Sequence, residues 1–166
     1  SHQGSGDYAL LNYDDPELRR WEKDCKGHVL WYSANHTLAN GAFIKRNDIV
    51  IAVDGKKTTI PCVSRIKIPG IHNLQNVLAA SCAAYLAGAR EQHIEKAITT
   101  FSGLAHRLEF VREVNGVRYY NDSKATTPES SIAAITAFQA QVILIAGGYD
   151  KGSNFSEFAG KCAQHT

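Results

Sequence analysis

The stretch Asn121-Asp-Ser-Lys-Ala-Thr-Thr-Pro128 sets an acid, a base and several hydroxyls between an apolar strand-like run and a helix opened by proline. In α/β proteins ligands bind beyond the carboxyl ends of strands, the position this stretch would occupy. Asp122 can accept a hydrogen bond from a ribose hydroxyl. Lys124 offers a point charge to an anion, and Thr126 a hydroxyl beside a helix N-terminus, where anions are favoured. A plain capping loop is the competing reading. Further on, Ala146-Gly-Gly-Tyr-Asp-Lys-Gly152 follows an apolar run. Its glycines permit a tight turn and close backbone approach, and Lys151 can bind a carboxylate.

Two earlier stretches carry complementary groups. Gly70-Ile-His-Asn-Leu-Gln-Asn-Val-Leu-Ala-Ala80 places Asn73 and Asn76 one helical turn apart. Each amide has both a donor and an acceptor, which suits the edge of an adenine. The plainer alternative is that Asn73 caps the helix. Ala105-His-Arg-Leu-Glu109 holds Arg107 just after a break at Ser102-Gly103. An arginine at a domain boundary can reach a phosphate or ribose bound in the cleft, unless it is a surface residue paired with Glu109 or another acid.

The elements that must position these groups alternate in the α/β manner. Tyr8–Tyr13 and His28–Ser33 read as strands, with a short helix between them that starts at Asp14-Asp15-Pro16. Residues 42–46, 48–53 and 57–62 read as short antiparallel strands, turned at Asn47-Asp48 and Asp54-Gly55. Pro61 places the third at an edge. Residues 73–89 form the clearest helix, with Val77, Ala80, Ala84, Leu86 and Ala87 expected on its packing side, and residues 91–101 a second. Asn115-Gly116 joins two further strands, and Pro128–Phe138 is a helix capped by Thr126 or Thr127. Gln141–Ala146 has the apolar continuity of a strand buried on both faces. A last helix begins at Phe155. The change of pattern at Gly103 divides the chain into domains at 1–104 and 105–166.

Composition excludes several classes. Of 166 residues, 44% are hydrophobic and 20% charged, which is globular rather than disordered. A net charge of +2 with no basic block gives no electrostatic footprint for nucleic acid. The apolar run 78–89 is too short and too polar to cross a bilayer, and no apolar leader opens the sequence. The four cysteines form no C-x-x-C pair and read as buried free thiols in a reducing compartment.

Together, Gly-x-His-Asn-x-x-Asn-x-Leu-Ala-Ala, Gly-Leu-x-His-Arg-x-Glu, Asn-Asp-Ser-Lys-Ala-Thr and Gly-Gly-x-Asp-Lys resemble the Mur ligase family in order and approximate spacing. These are ATP-dependent amino-acid ligases of bacterial peptidoglycan synthesis. Asn-Asp-Ser-Lys-Ala-Thr is the specific motif and resembles the D-glutamate-adding branch, where sister ligases look like Asp-Tyr-Ala-His. The resemblance covers essentially the whole chain. It implies the distal part of a central ATPase domain with an antiparallel appendage, then an incomplete Rossmann-like C-terminal domain.

It also implies roles. Asn73 and Asn76 would lie at the adenine of ATP, and Arg107 and Asp122 at its ribose and phosphates. Lys124, as the catalytic cation, and Thr126 would lie near the reacting acyl phosphate and incoming amino acid, and Lys151 at a D-glutamate carboxylate. The implied substrates are ATP, UDP-N-acetylmuramoyl-L-alanine and D-glutamate, in the bacterial cytoplasm. No Gly-x-x-x-x-Gly-Lys-[Ser/Thr] phosphate loop occurs in the sequence. The family's Mg²⁺ ligands would lie upstream of what Asp7-Tyr8-Ala9 matches, so the chain reads as an inactive piece of such a ligase. A folate-type polyglutamate ligase and a non-catalytic nucleotide-binding module are the alternatives. A reading frame that runs upstream into a phosphate loop separates the enzyme from the module.

Overall fold

A computed structural model describes residues 2–149 and 152–166. The chain folds as two compact units, one of Ser1–Lys67 with Asn73–Phe101, the other of Ile68–His72 with Ser102–Thr166.

The first unit is built on one five-stranded sheet in the order β1 (Tyr8–Asn12), β2 (His28–Ser33), β3 (Gly41–Lys45), β4 (Asp48–Val53), β5 (Lys56–Ile60). The β1–β2 and β2–β3 pairings are parallel, and β3–β4 and β4–β5 antiparallel. The crossover from β1 to β2 carries α1 (Pro16–Arg20), followed by a 3₁₀ turn at Trp21–Asp24. Asp15 caps α1, its Oδ1 accepting from Glu17 N at 2.8 Å and Leu18 N at 3.4 Å.

The antiparallel strands continue the sheet as the sequence indicates, but they are central to its packing. In β4 the apolar run Ile49–Val53 is bonded on both sides and buried along its length. Leu30, Phe43, Ile49, Ile51, Ile60 and Leu78 are its largest fully buried apolar side chains. Each such side chain contributes about 1.5–3 kcal/mol relative to exposure.

Two helices complete this unit, α2 (Ile71–Leu86) and α3 (Glu91–Thr100). The buried face of α2 is Asn73, Val77, Leu78, Ser81 and Cys82, whereas Ala80 and Ala87, expected to pack, are exposed, and Ala84 and Leu86 are half-buried. Ser81 can be buried because its hydroxyl donates to the Val77 carbonyl at 2.6 Å, which removes the cost of an unpaired polar group. α3 buries Ile94 and is tied to β5 where Thr58 Oγ1 donates to Glu91 Oε1 at 3.1 Å.

The second unit holds the hairpin β6 (Glu109–Val114) and β7 (Val117–Asn121), with α4 (Pro128–Ile135) and α5 (Ser156–His165). Asn115 and Gly116 turn the hairpin at φ 51° and 80°, the two positive values a type I′ turn requires. Thr127, not Thr126, caps α4, in a reciprocal capping box with Ser130.

The strand expected at Gln141–Ala146 does not form. An apolar run becomes a strand only where a neighbour bonds to it, and among the described residues none pairs with this one. Instead Val142 N donates to the His165 carbonyl at 2.9 Å, and Ile143 and Ile145 stand 93% and 96% exposed.

All four cysteines are free thiols. Cys62 and Cys82 are buried as expected, and burial pushes the Cys82 thiol up to about 11. Cys162, also expected in an apolar setting, is only half-buried, as is Cys25. No helix among the described residues is long and apolar enough to cross a membrane.

Candidate functional site

Four of the predicted residues lie in the second unit, on two loops laced by hydrogen bonds. The loop before β6 carries Arg107, and the loop after β7 carries Asp122, Lys124 and Thr126. Asp122 Oδ1 accepts from Leu108 N at 2.9 Å, so one carboxylate oxygen fixes the backbone next to Arg107. Lys124 N donates to the His106 carbonyl at 3.0 Å, and Asn121 Nδ2 lies 2.9 Å from His106 Nδ1. Ala125 N closes the second loop on the Asp122 carbonyl at 2.9 Å.

The first loop is under backbone strain. His106 and Leu108, either side of Arg107, have φ of 65° and 43°. For residues with a side chain that region costs about 1–2 kcal/mol each. The surrounding bonds, with the burial of Leu108, hold the turn in place. Strain retained this way is characteristic of sites that present one residue in a fixed orientation. The alternative pairing of Arg107 with Glu109 does not form. Glu109 Oε2 accepts from His106 N at 2.7 Å instead.

Lys124 and Thr126 are exposed, with Thr126 one residue before the cap of α4. Asp122 is half-buried. Lys151 lies outside the described residues.

His72, inside the Gly-x-His-Asn motif, belongs to the same unit and was not singled out from sequence. Burial pushes its pKa below the ordinary 6.5; the Asp122 carboxylate opposes that shift and the Arg107 guanidinium adds to it. Burial therefore disfavours the charged form of the ring, and both neighbouring charges act on it. Its Nδ1 is buried with no hydrogen-bond partner among the described residues. The ring lies against Gly70, where an added Cβ would come within 2.7 Å of it and 2.9 Å of Ala137 Cβ. The available sequence signal was a histidine two residues after Gly70, and Gly70 adopts a φ of 96°.

Asn73 and Asn76 sit in the first unit. Asn73 is the third residue of α2, inside the helix, so it is not its N-cap. It is 6% exposed, whereas Asn76 faces out. Near them lies a network that the sequence reading passed over, centred on Asp14 after the end of β1. Asp14 Oδ1 accepts from Ser33 Oγ at 2.6 Å and from His36 Nδ1 at 3.0 Å. Oδ2 accepts from Ala34 N at 3.0 Å and from Gln75 Nε2 at 3.3 Å. Burial would raise this carboxyl, but the donors outweigh it and the net pKa lies below the ordinary 3.8.

Two surface cavities, of about 500 Å³ at Tyr85 and Gly88–Gln92 and about 350 Å³ at Tyr13, Trp31 and His36–Asn40, are lined by none of the predicted residues. Among the described residues no three His, Cys, Asp or Glu side chains gather as a metal site.

The Mur ligase middle domain matches residues 1–84 and the Mur ligase glutamate ligase domain residues 106–166, and the chain belongs to the Mur ligase family. Among relatives, it is 48% identical over 95% of its length to a UDP-N-acetylmuramoylalanine--D-glutamate ligase of Thermoanaerobacter sp. (strain X514), of which it covers 35%. It is 43% identical over 95% of its length to the enzyme of that name from Alkaliphilus metalliredigens, covering 34% of it. The chain thus spans about a third of the length of these curated relatives. Its fold is similar to that of MurF from Acinetobacter baumannii, with a TM-score of 0.59 at 16% identity over 93% of this chain and 34% of that one. A pseudomurein peptide ligase type C from Methanothermus fervidus gives 0.54 at 15% identity, over 77% and 33%.

Proposed function

We propose that this chain is part of an ATP-dependent ligase that joins D-glutamate to UDP-N-acetylmuramoyl-L-alanine in the bacterial cytoplasm. The observation that carries the reading is the lacing of the 104–109 and 121–127 loops. It gathers Arg107, Asp122 and Lys124 in one small region, as a bound anion requires. The names of the relatives supply the nucleotide sugar and D-glutamate. Residues 1–104 are then the distal part of the ATP-binding domain, and 105–166 the beginning of the glutamate-binding one.

In this reading Asn73 and Asn76 contact adenine, and Arg107 and Asp122 take phosphate and ribose, with Asp122 Oδ2 facing the hydroxyl. The L-alanyl carboxylate oxygen attacks the γ-phosphorus of ATP and ADP leaves. The D-glutamate amine then attacks the acyl carbon, the C–O bond breaks and phosphate departs. Charge builds on the transferring group, and a fixed cation such as Lys124 is most effective against charge that develops there. Thr126 orients the amino acid and Lys151 binds a D-glutamate carboxylate. Mg²⁺, which such phosphoryl transfer uses to neutralise phosphate charge, would be held by residues outside this chain.

The test is product formation by the full-length protein from ATP, UDP-N-acetylmuramoyl-L-alanine and either D- or L-glutamate, with a folate acceptor in parallel. Turnover confined to D-glutamate and the nucleotide sugar supports the proposal. Turnover with folate alone, or none with any acceptor, overturns it. The 166-residue chain alone, with no phosphate-loop motif, is expected to release no phosphate from ATP under the same conditions.

A further inference from the structure

We infer that Asp14 is a positioning residue for the adenine end of the nucleotide, setting where α2 presents Asn73 and Asn76. The inference rests on the proposed role of those two asparagines and adds to it the group that orients them. Four donors from three segments converge on one carboxylate whose side chain is only 9% exposed. Ser33 and Ala34 come from the end of β2, His36 from the loop that follows, and Gln75 from α2, between Asn73 and Asn76. All of these residues lie in the first unit.

A carboxylate only accepts, so with these four contacts its oxygens are committed to the protein, and His36 Nδ1 must carry a proton. Ser33, fully buried, extends the network by accepting from Asn35 N at 3.1 Å and His36 N at 2.8 Å. The β2 loop and the start of α2 are therefore fixed to the same two oxygens. Losing the strut lets the helix start shift. Displacements of about 1 Å in positioning groups can cost on the order of a hundredfold in rate or binding.

The experiment is steady-state kinetics of the full-length protein with Asp14→Asn, Gln75→Leu, Asn73→Ala and the Asp14→Asn/Asn73→Ala double variant. Asp14→Asn keeps the shape but sets an amide N–H₂ against donors. Gln75→Leu removes only the strut to α2 and guards against a folding defect. Both single variants should raise the ATP KM, Asp14→Asn by about tenfold and Gln75→Leu by less, with kcat and the D-glutamate KM nearly unchanged. The double variant should bind ATP no worse than Asn73→Ala, because the strut acts through that residue. If Asn73→Ala raises the ATP KM while Asp14→Asn and Gln75→Leu do not, the positioning role is wrong. A parallel loss of kcat, both KM values and thermal stability in both strut variants also overturns it, as a general structural defect. An unchanged ATP KM in Asn73→Ala removes the asparagine reading and this inference together.

Discussion

The two units hold themselves together by different means. The first buries a run of aliphatic side chains across β2, β3, β4 and α2, and its polar network around Asp14 lies at the ends of its parallel strands. Among the described residues the second has one two-stranded hairpin, with Phe110, Val111, Val114, Val117 and Tyr119 largely exposed, and an apolar run at 142–146 that pairs with no strand. Its order around Arg107, Asp122 and Lys124 comes from hydrogen bonds between loops rather than from burial. Core substitutions should therefore be felt as stability in the first unit, and loop substitutions as chemistry in the second.

Lys124→Ala should break the comparison most visibly if it is wrong. In the full-length enzyme kcat should fall by about two orders of magnitude with little change in melting temperature, as losing a transition-state contact does. Lys151→Ala should instead raise the D-glutamate KM more than it lowers kcat, because it removes binding that the ground state already has. Wild-type kinetics for either variant would take that lysine out of the site.

The next effect belongs to the core of the first unit. Ile51→Ala, at a side chain with no exposure, should cost about 2–5 kcal/mol, as aliphatic-to-alanine changes in closed cores do. Ile143→Ala, at a side chain 93% exposed, should change stability by no more than about 0.5 kcal/mol in this chain. Urea titration of the two variants reads both. A large loss for Ile143→Ala would show that the 142–146 run is packed in solution.

Smaller still is the pH response, and it has the same sign in both units. His72 has a folded pKa below 6.5, so the unfolded chain binds its proton first; stability present above about pH 6.5 declines as pH falls through the folded value. Asp14 has a folded pKa below 3.8, so its contribution is present above 3.8 and is lost as pH falls through that lower value. His72→Gln should remove the first decline and leave the second. Thermal melts between pH 8 and 3 would show it, and a stability that rises on acidification across pH 6.5 would contradict the His72 assignment.

What the sequence made legible follows the strength of the local signal. Strand β2 and the Asn115-Gly116 turn are set by apolar runs and by residues that adopt positive φ, and both appear where expected. That Asp122 and Lys124 share one loop was readable from the polar residues concentrated before the cap of α4, whereas the approach of the Arg107 loop to them depends on hydrogen bonds that only the fold makes. The 142–146 run was misread because apolar continuity reports a tendency to pair, while the pairing itself depends on neighbours that composition does not show. The face of α2 was misjudged because Ser81 satisfies its own hydroxyl within the helix, and so packs where alanine was expected. The Asp14 network was invisible for another reason. Its members, at positions 14, 33, 36 and 75, meet only through the fold.

If these residues serve a ligase that works through an acyl phosphate, an oxygen of the substrate carboxylate must end in the phosphate released. Oxygen-18 placed in the L-alanyl carboxylate of the nucleotide sugar, followed by mass spectrometry of the phosphate released by the full-length protein, reads this transfer. One labelled oxygen is expected in each phosphate formed with product, at a rate reduced in parallel with turnover by Lys124→Ala. Product formed with unlabelled phosphate would rule the acyl phosphate out.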